Sequence, residues 1–454
     1  MAACYPHKPW YVEMIVNLAE TYRDTDIGRE AEDLLAPCVQ CGQCTFTCPT
    51  YRLTGDEWDG PRGRIYLFKQ FMEGREPDPN FIPPAYTLAA LTEPNIGANL
   101  QLHLDRCLTC RSCETSCPKG VRYGRLLDLG RELVEKQVPR PFKDRLARRA
   151  VRAVVPHPRR FKALLRIGQR LRPLLPADLQ GRIPEPRQAG EWPQRGHARR
   201  MLVWQGCVQP AVAPDINAAA ARVLDRFGIS LIPASDGCCG AMSYHLAAVD
   251  EAHALMRRNI DALWPHIESG IEAIVLTASG CGTHFRDYGK LLKDDPQYRD
   301  KARRLSELSR DIAEIVAEEW KADPENDLPA PARPLRISFQ SSCSLQHGEK
   351  LNGVAEGLLK RAGYKLMPVQ YPFMCCGAAG TYSILQRKLS VSLREQKMKT
   401  LMAGKPIAIA TANIGCLAHL AQASTVPVHH WIEFLDERFA SAQPRQPSLS
   451  QAHK

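Results

Sequence analysis

The sequence predicts a mixed architecture, with an α-helical N-terminal domain followed by two duplicated α/β domains with parallel sheets. Three observations predict it. Nine of the 17 cysteines fall in the first 138 residues, eight of them in two dense clusters. Further along, Cys207, Cys238–Cys239 and Cys281 recur as Cys343, Cys375–Cys376 and Cys416, at offsets of 136, 137 and 135 residues. Within each repeat, short apolar runs alternate with helical patterns, as in strands joined by right-handed crossovers in a parallel sheet.

Five stretches follow. Residues 1–138 form the expected helical domain, and residues 139–198 a basic connector without cysteine. The first cysteine-rich repeat spans 199–325, a Pro-rich joint (PENDLPAPARP) follows, the second repeat spans 335–440, and 441–454 is a polar tail. A register kept over so long a unit means domain duplication, not a solenoid. In the first repeat the expected strands are Met201–Gln205, Ile229–Ile232 and Ile271–Thr277, with a helix from Ile216 to Phe227 closed by Gly228. The matching strands of the second are Leu335–Phe339, Tyr364–Val369 and Ile407–Thr411. Every repeat cysteine then sits just beyond a strand's carboxyl end, where open α/β sheets bind their ligands.

Composition excludes several classes. Apolar content of 44% and charged content of 24% are those of a globular protein, not a disordered one. An odd cysteine count cannot be fully paired, and Met1–Trp10 lacks the charged start and apolar run of an export signal. Metal or redox chemistry in the cytoplasm is the expectation, not disulfide stapling. The longest stretch without Asp, Glu, Lys or Arg, Pro406–Ile432, contains Asn413, Gln422, Pro427 and three histidines, so it reads as αβ core. The net charge of +11 is local: residues 140–200 carry 17 Lys plus Arg against four acids, +13, which leaves −2 elsewhere.

The first chemistry-bearing pattern occurs twice, CVQCGQCTFTCP at 38–49 and CLTCRSCETSCP at 107–118, each C-x2-C-x2-C-x3-C-P. Three thiolates at this spacing surround one corner of an iron–sulfur cube, and the fourth reaches the other cluster. That assigns Cys38, Cys41, Cys44 and Cys117 to one [4Fe–4S] cluster and Cys48, Cys107, Cys110 and Cys113 to a second. Zinc is the alternative, but four cysteines within eleven residues would crowd a lone ion. The proline after each motif lets the chain leave the cluster.

The second pattern is Cys-Cys-Gly, in CCGAMSY and CCGAAGTYS. Adjacent side chains on a strand point to opposite faces, so a turn at Gly237 and Gly240, or at Gly377, is needed to aim both thiolates at one site. The eight repeat cysteines are read as metal or redox groups, against buried unmetallated thiols. His284 and His419 stand three residues after Cys281 and Cys416. Ligation and plain hydrogen bonding near a helix start both stay open for them.

CVQCGQCTFTCPTYRLTGDEWDGPRGRIYLFKQFMEG within Pro37–Gly74 and HLDRCLTCRSCETSCPKGVRYGRLLDLGRELVE at His103–Glu135 resemble the iron–sulfur subunits of bacterial glycolate oxidases. So do SCSLQHGEKL and MCCGAAGTYSILQ, and the resemblance runs from about Pro37 to Phe439, weakest in the connector. It implies a ferredoxin-like domain of the helical type, with 58 residues between Cys48 and Cys107. It also implies a further iron–sulfur centre in each Cys-Cys-Gly repeat, as in the related heterodisulfide reductases. Those use a C-x2-C ending, where this chain has Cys281-Gly-Thr-His284 and Cys416-Leu-Ala-His419, so a five-cysteine double cluster is not expected. The implied role is electron transfer from an FAD-containing partner that oxidises a 2-hydroxy acid, glycolate above all, towards a quinone-type acceptor. Lactate and glycerol-3-phosphate dehydrogenase subunits share the motifs, and thiol–disulfide chemistry is the other reading.

Neither a GxGxxG after a strand nor a Walker A sequence occurs, so no flavin, NAD or nucleotide is expected on this chain, nor a catalytic acid or base. In the connector, RPFKDRLARRAVRAVVPHPRRFKALLRIGQRLRPLL, arginines alternate with apolar residues at helical spacing. Solvated amphipathic helices, an acidic partner or a peripheral contact with the inner face of the cytoplasmic membrane all fit. Few aromatics accompany the charge, so nucleic acid is not expected. Cys4, outside both patterns, is read as a surface thiol.

Overall fold

The computed structural model describes residues 14–75, 95–176, 180–235, 237–323 and 327–442; Cys4 lies outside them. The chain forms two compact units. The first comprises Met1–Arg148, Tyr244–Val249 and Phe373–Leu393, and the second Arg149–Ser243, Asp250–Pro372 and Arg394–Lys454.

The first unit is helical. Its main helices are α1 (Asp26–Leu35), α2 (Pro49–Thr54), α3 (Pro61–Met72), α4 (Ile96–Asp105), α5 (Ser112–Thr115) and α6 (Tyr123–Gln137). Their starts are chemically marked. The Thr25 hydroxyl accepts from the Gly28 N–H at 3.0 Å, the Asn95 side chain accepts from Gly97 at 2.8 Å, and Pro49 and Pro61 open α2 and α3. One apolar stripe of each longer helix faces inward, including Leu34, Leu35, Phe68, Met72, Leu100, Leu104, Leu127 and Val134. Each such side chain contributes roughly 1.5–3 kcal/mol by leaving water. At Gly130 of α6, a Cβ would lie 3.0 Å from Leu104 and 3.3 Å from Phe68, so its hydrogen lets α3, α4 and α6 close up. Cys38 then follows α1, Cys48 precedes α2 and Cys107 follows α4. Helix ends, fixed by the core, deliver the cysteines.

The second unit holds two four-stranded parallel sheets of one topology. Strands β1 (Arg199–Trp204), β2 (Ile229–Pro233), β3 (Ile274–Leu276) and β4 (Ser309–Asp311) run in the order β2-β1-β3-β4. Strands β5 (Arg336–Gln340), β6 (Lys365–Met367), β7 (Ala408–Thr411) and β8 (Val428–His430) run β6-β5-β7-β8. The registers correspond: Leu202 pairs with Ile274, and Ile337 with Ala408. Three expected strands per repeat are present, and each sheet gains a fourth. Ser309–Asp311 and Val428–His430 are three-residue edge strands with polar residues, too short to give an apolar period.

Among the helices here are α7 (Phe142–Val154) and α8 (Pro158–Leu171) of the connector, α7 beginning in the first unit, then α9 (Asp215–Arg226), α10 (Ser279–Leu291), α11 (Ile312–Ala322), α12 (Ile414–Ala421) and α13 (Trp431–Ala442). Buried Ala218–Ala221 make α9 thin enough to pack closely. It meets α13 through an Arg222–Asp436 ion pair at 2.6 Å and an edge-on Phe227–Phe439 contact, which joins the two repeats.

Between the repeats one arginine serves three carboxylates. Arg286 pairs with Glu314 and lies 3.4 Å from the fully buried Glu349, and Asp311 caps α11. Burial, then the neighbouring Glu314 charge, pushes Asp311 up to about 7 despite the bond from the Ala313 N–H and the charge of Arg286. A carboxyl raised in the folded state contributes most below its unfolded range near 4 and loses that contribution as pH rises through 7. Thermal stability should therefore fall between about pH 4 and 7. Asp311→Asn, which keeps a capping side chain, should flatten that fall in melting curves; an unchanged slope would refute the assignment.

Candidate metal centres

The two N-terminal motifs share one backbone trace. Gln40 and Gly42 have φ of 54° and 78°, and Thr109 and Arg111 have φ of 54° and 57°. Left-handed residues on both sides of the central cysteine curl the chain so that successive thiols face one centre. Only Gly42 adopts this region at no steric cost; the other three store strain, of order 1–3 kcal/mol each.

The result is two groups of four thiols, crossed between motifs. Around Cys44 stand Cys38, Cys117 and Cys41, and burial with these neighbours pushes its thiol up to about 12. Around Cys113 stand Cys110, Cys107 and Cys48, followed by Cys44 of the other group, and burial with their charges pushes it well up. The groups differ in access. Cys41 is exposed, and an open pocket is lined by Cys38, Cys41, Cys44, Arg62, Cys113, Cys117 and Lys119. Cys48, Cys107, Cys110 and Cys113 are all buried.

A buried cation serves the inner group. Arg64, 1% exposed, donates to the His103 carbonyl at 2.7 Å and to Thr50 Oγ1 at 3.2 Å, and its Nη1 lies 4.0 Å from Cys48 Sγ. Asp59 braces it: His103 Nδ1 lies 2.8 Å from the carboxylate, and Arg106 and Arg64 lie at 3.1 and 3.7 Å. Burial pushes Asp59 up, but the His103 hydrogen bond and the two arginine charges prevail, leaving it below the ordinary carboxylate range. Asp56, Asp59 and His103 cluster as metal ligands do, yet two arginines already balance the charge there, so this is a brace. Tyr123 donates to Cys107 Sγ at 3.8 Å.

Whether the inner group fits an iron–sulfur cluster is tested by its polar atoms. The Ser112 and Tyr382 hydroxyls are buried with no hydrogen-bond partner among the described residues. Cluster sulfur is an acceptor for such groups, and four thiols around one centre match the cube's corners. The residues fit.

In the first repeat the four cysteines converge. Cys207 follows β1, Cys238 and Cys239 follow β2, and Cys281 is the third residue of α10. Cys238 lies within bonding reach of Cys207 and Cys239, and Cys239 within reach of Cys281. Bonds from Cys207 and Cys239, aided by the Gly240 N–H at 3.4 Å, hold the Cys238 thiol well below its ordinary range. Gly240, at φ 96°, makes the expected turn; Gly237 keeps ordinary φ. Asn259 donates to the Cys238 carbonyl at 2.7 Å and the Tyr288 hydroxyl to the Cys239 carbonyl at 2.6 Å, which fixes the loop. His284 is buried on α10, one turn beyond Cys281, and its charge bears on Cys238.

In the second repeat, Gly377 has φ 88° and its N–H approaches Cys375 Sγ at 3.4 Å, so the Cys-Cys-Gly loop is repeated. Cys375 and Cys376 belong to the first unit; Cys343, Cys416 and the buried His419 of α12 belong to the second. Sequence reading missed Arg64, Tyr123 and Tyr382. The one available signal was the tyrosine that follows Cys-Cys-Gly in both repeats, Tyr244 and Tyr382.

Comparison with known proteins agrees with this geometry. Residues 34–121 match the 4Fe-4S dicluster domain, and 201–286 and 337–421 each match the cysteine-rich domain. The glycolate oxidase iron-sulfur subunit of Escherichia coli K12 is 48% identical over 93% of this chain and 99% of its own length. The probable glycolate oxidase iron-sulfur subunit of Bacillus subtilis is 28% identical over 86% and 89%. Lactate utilization protein A of B. subtilis is 24% identical over 51% of this chain and 97% of its own. With iron–sulfur domains and cysteine groups to match, this chain is an iron–sulfur electron-transfer protein and belongs to the family of glycolate oxidase iron–sulfur subunits.

Proposed function

We propose that this chain relays electrons in a glycolate-oxidising complex, between an FAD-containing partner that oxidises the 2-hydroxy acid and a quinone-type acceptor. The observation that carries the reading is the crossed grouping of Cys38, Cys41, Cys44 and Cys117 against Cys48, Cys107, Cys110 and Cys113. These would hold two [4Fe–4S] clusters, which supply one-electron carriers that no side chain provides. The exposed Cys41 makes the first group the accessible one for entry, and Arg64 balances charge at the second.

The Cys207, Cys238, Cys239 and Cys281 group would hold a further centre, since the four thiols converge where strands β1, β2 and β3 end. The duplicated pattern extends this role to Cys343, Cys375, Cys376 and Cys416. His284 and His419 are left as buried neighbours of these ligands. Four centres require about sixteen iron atoms per anaerobically purified chain. About eight would confine clusters to the N-terminal motifs. Cys41→Ser should abolish one electron paramagnetic resonance signal of the reduced chain and spare the other; loss of neither would refute the assignment.

The acceptor side is proposed to lie at the inner face of the cytoplasmic membrane. None of the described helices is long and apolar enough to cross a membrane. Yet α8 buries no residue, and Leu164, Ile167 and Leu171 are exposed at helical spacing, with the exposed Leu174 just beyond, among Arg159, Arg160, Lys162, Arg166 and Arg170. An apolar stripe flanked by cations suits an anionic lipid surface. Leu164→Glu with Ile167→Glu should reduce co-sedimentation with phosphatidylglycerol vesicles at least tenfold without changing iron content. Undiminished binding would reject α8 as the contact.

A further inference from the structure

Each repeat carries a tyrosine shortly after Cys-Cys-Gly, five residues past Cys239 and six past Cys376, and both tyrosines fall in the first unit. Their surroundings differ. The Tyr244 hydroxyl accepts from Arg125 Nη1 at 3.1 Å, and Arg125 is itself paired with Glu30 at 2.6 Å, so Tyr244 is held by charged groups. The Tyr382 hydroxyl is buried without a partner among the described residues, in a side chain 5% exposed. The groups whose charge it feels are Arg64, Cys107, Cys375 and Asp59.

A buried hydroxyl without an acceptor costs about 1–3 kcal/mol, and phenylalanine would avoid that cost here. The cost disappears if sulfur of a bound cluster supplies the acceptor. Cys107 belongs to the inner group, on which the charge of Arg64 bears and to which Tyr123 already donates. Tyr382 also stands only six residues after Cys376.

We propose that Tyr382 is a tuning residue for electron transfer: its hydroxyl donates to sulfur of the cluster held by Cys48, Cys107, Cys110 and Cys113 and raises that cluster's potential together with Arg64. Reduction adds one electron and no proton. The added charge rests on sulfur, so a donated hydrogen bond and a nearby cation both favour the reduced state. Tyr244 has no such role, and the two repeats are functionally unequal.

The inference rests on the ligand assignment proposed above, and one experiment separates the two. Redox titrations of the full chain, purified anaerobically and followed by electron paramagnetic resonance, are run on the wild type, Cys107→Ser, Tyr382→Phe and Tyr244→Phe. The signal lost in Cys107→Ser identifies the inner cluster. In Tyr382→Phe that signal should persist with a lower midpoint, its reduction equilibrium weakened about fivefold as one hydrogen bond allows. Tyr244→Phe should leave both midpoints in place. A signal unaffected by Cys107→Ser overturns the ligand assignment and the inference with it. An intact inner signal with an unmoved midpoint in Tyr382→Phe, or an equal drop in Tyr244→Phe, overturns the inference alone.

Discussion

Thiolates brought together repel one another, and the rest of this protein is arranged around that fact. Burial and like charge push Cys44 and Cys113 upwards, so these groups would stay protonated if nothing else were bound. Iron reverses the balance by taking the thiolates as ligands. What the polypeptide must supply is a frame stiff enough to hold four sulfurs around one centre, and countercharge where water cannot reach. Arg64, braced by Asp59 and the His103 carbonyl, supplies that countercharge in the helical unit.

The two kinds of centre solve the positioning problem differently. In the helical unit, left-handed residues at Gln40, Gly42, Thr109 and Arg111 curl a short loop, and the core of α1, α3, α4 and α6 absorbs the strain. In the first cysteine-rich repeat, the ligands come from three strand ends, and the parallel sheet does the gathering. A single glycine at φ 96° then redirects the adjacent pair. The first device keeps three cysteines of each group close in sequence; the second tolerates 73 residues between Cys207 and Cys281 because β1 and β3 are neighbours.

Duplication produced two sheets of one order and two Cys-Cys-Gly loops with one turn, but not two equivalent sites. Tyr382 and Tyr244 each follow a Cys-Cys-Gly loop but have unlike surroundings, an unsatisfied buried hydroxyl and an arginine-bound one. Equivalence of sequence pattern is therefore a poor guide to equivalence of role here.

Much was legible from residue order alone. The C-x2-C-x2-C-x3-C-P spacing singled out the eight N-terminal cysteines, because closely spaced thiols have few ways to surround one centre. The parallel sheets followed from apolar runs alternating with helical patterns, since that pattern reflects local burial. Tertiary structure alone decided the edge strands Ser309–Asp311 and Val428–His430, the exposure of Cys41, and the burial of Arg64 and Tyr382. The physical reason is range. Spacing and periodicity record how a side chain meets its neighbours within a turn or a strand, whereas solvent access and electrostatic partnership depend on segments hundreds of residues apart.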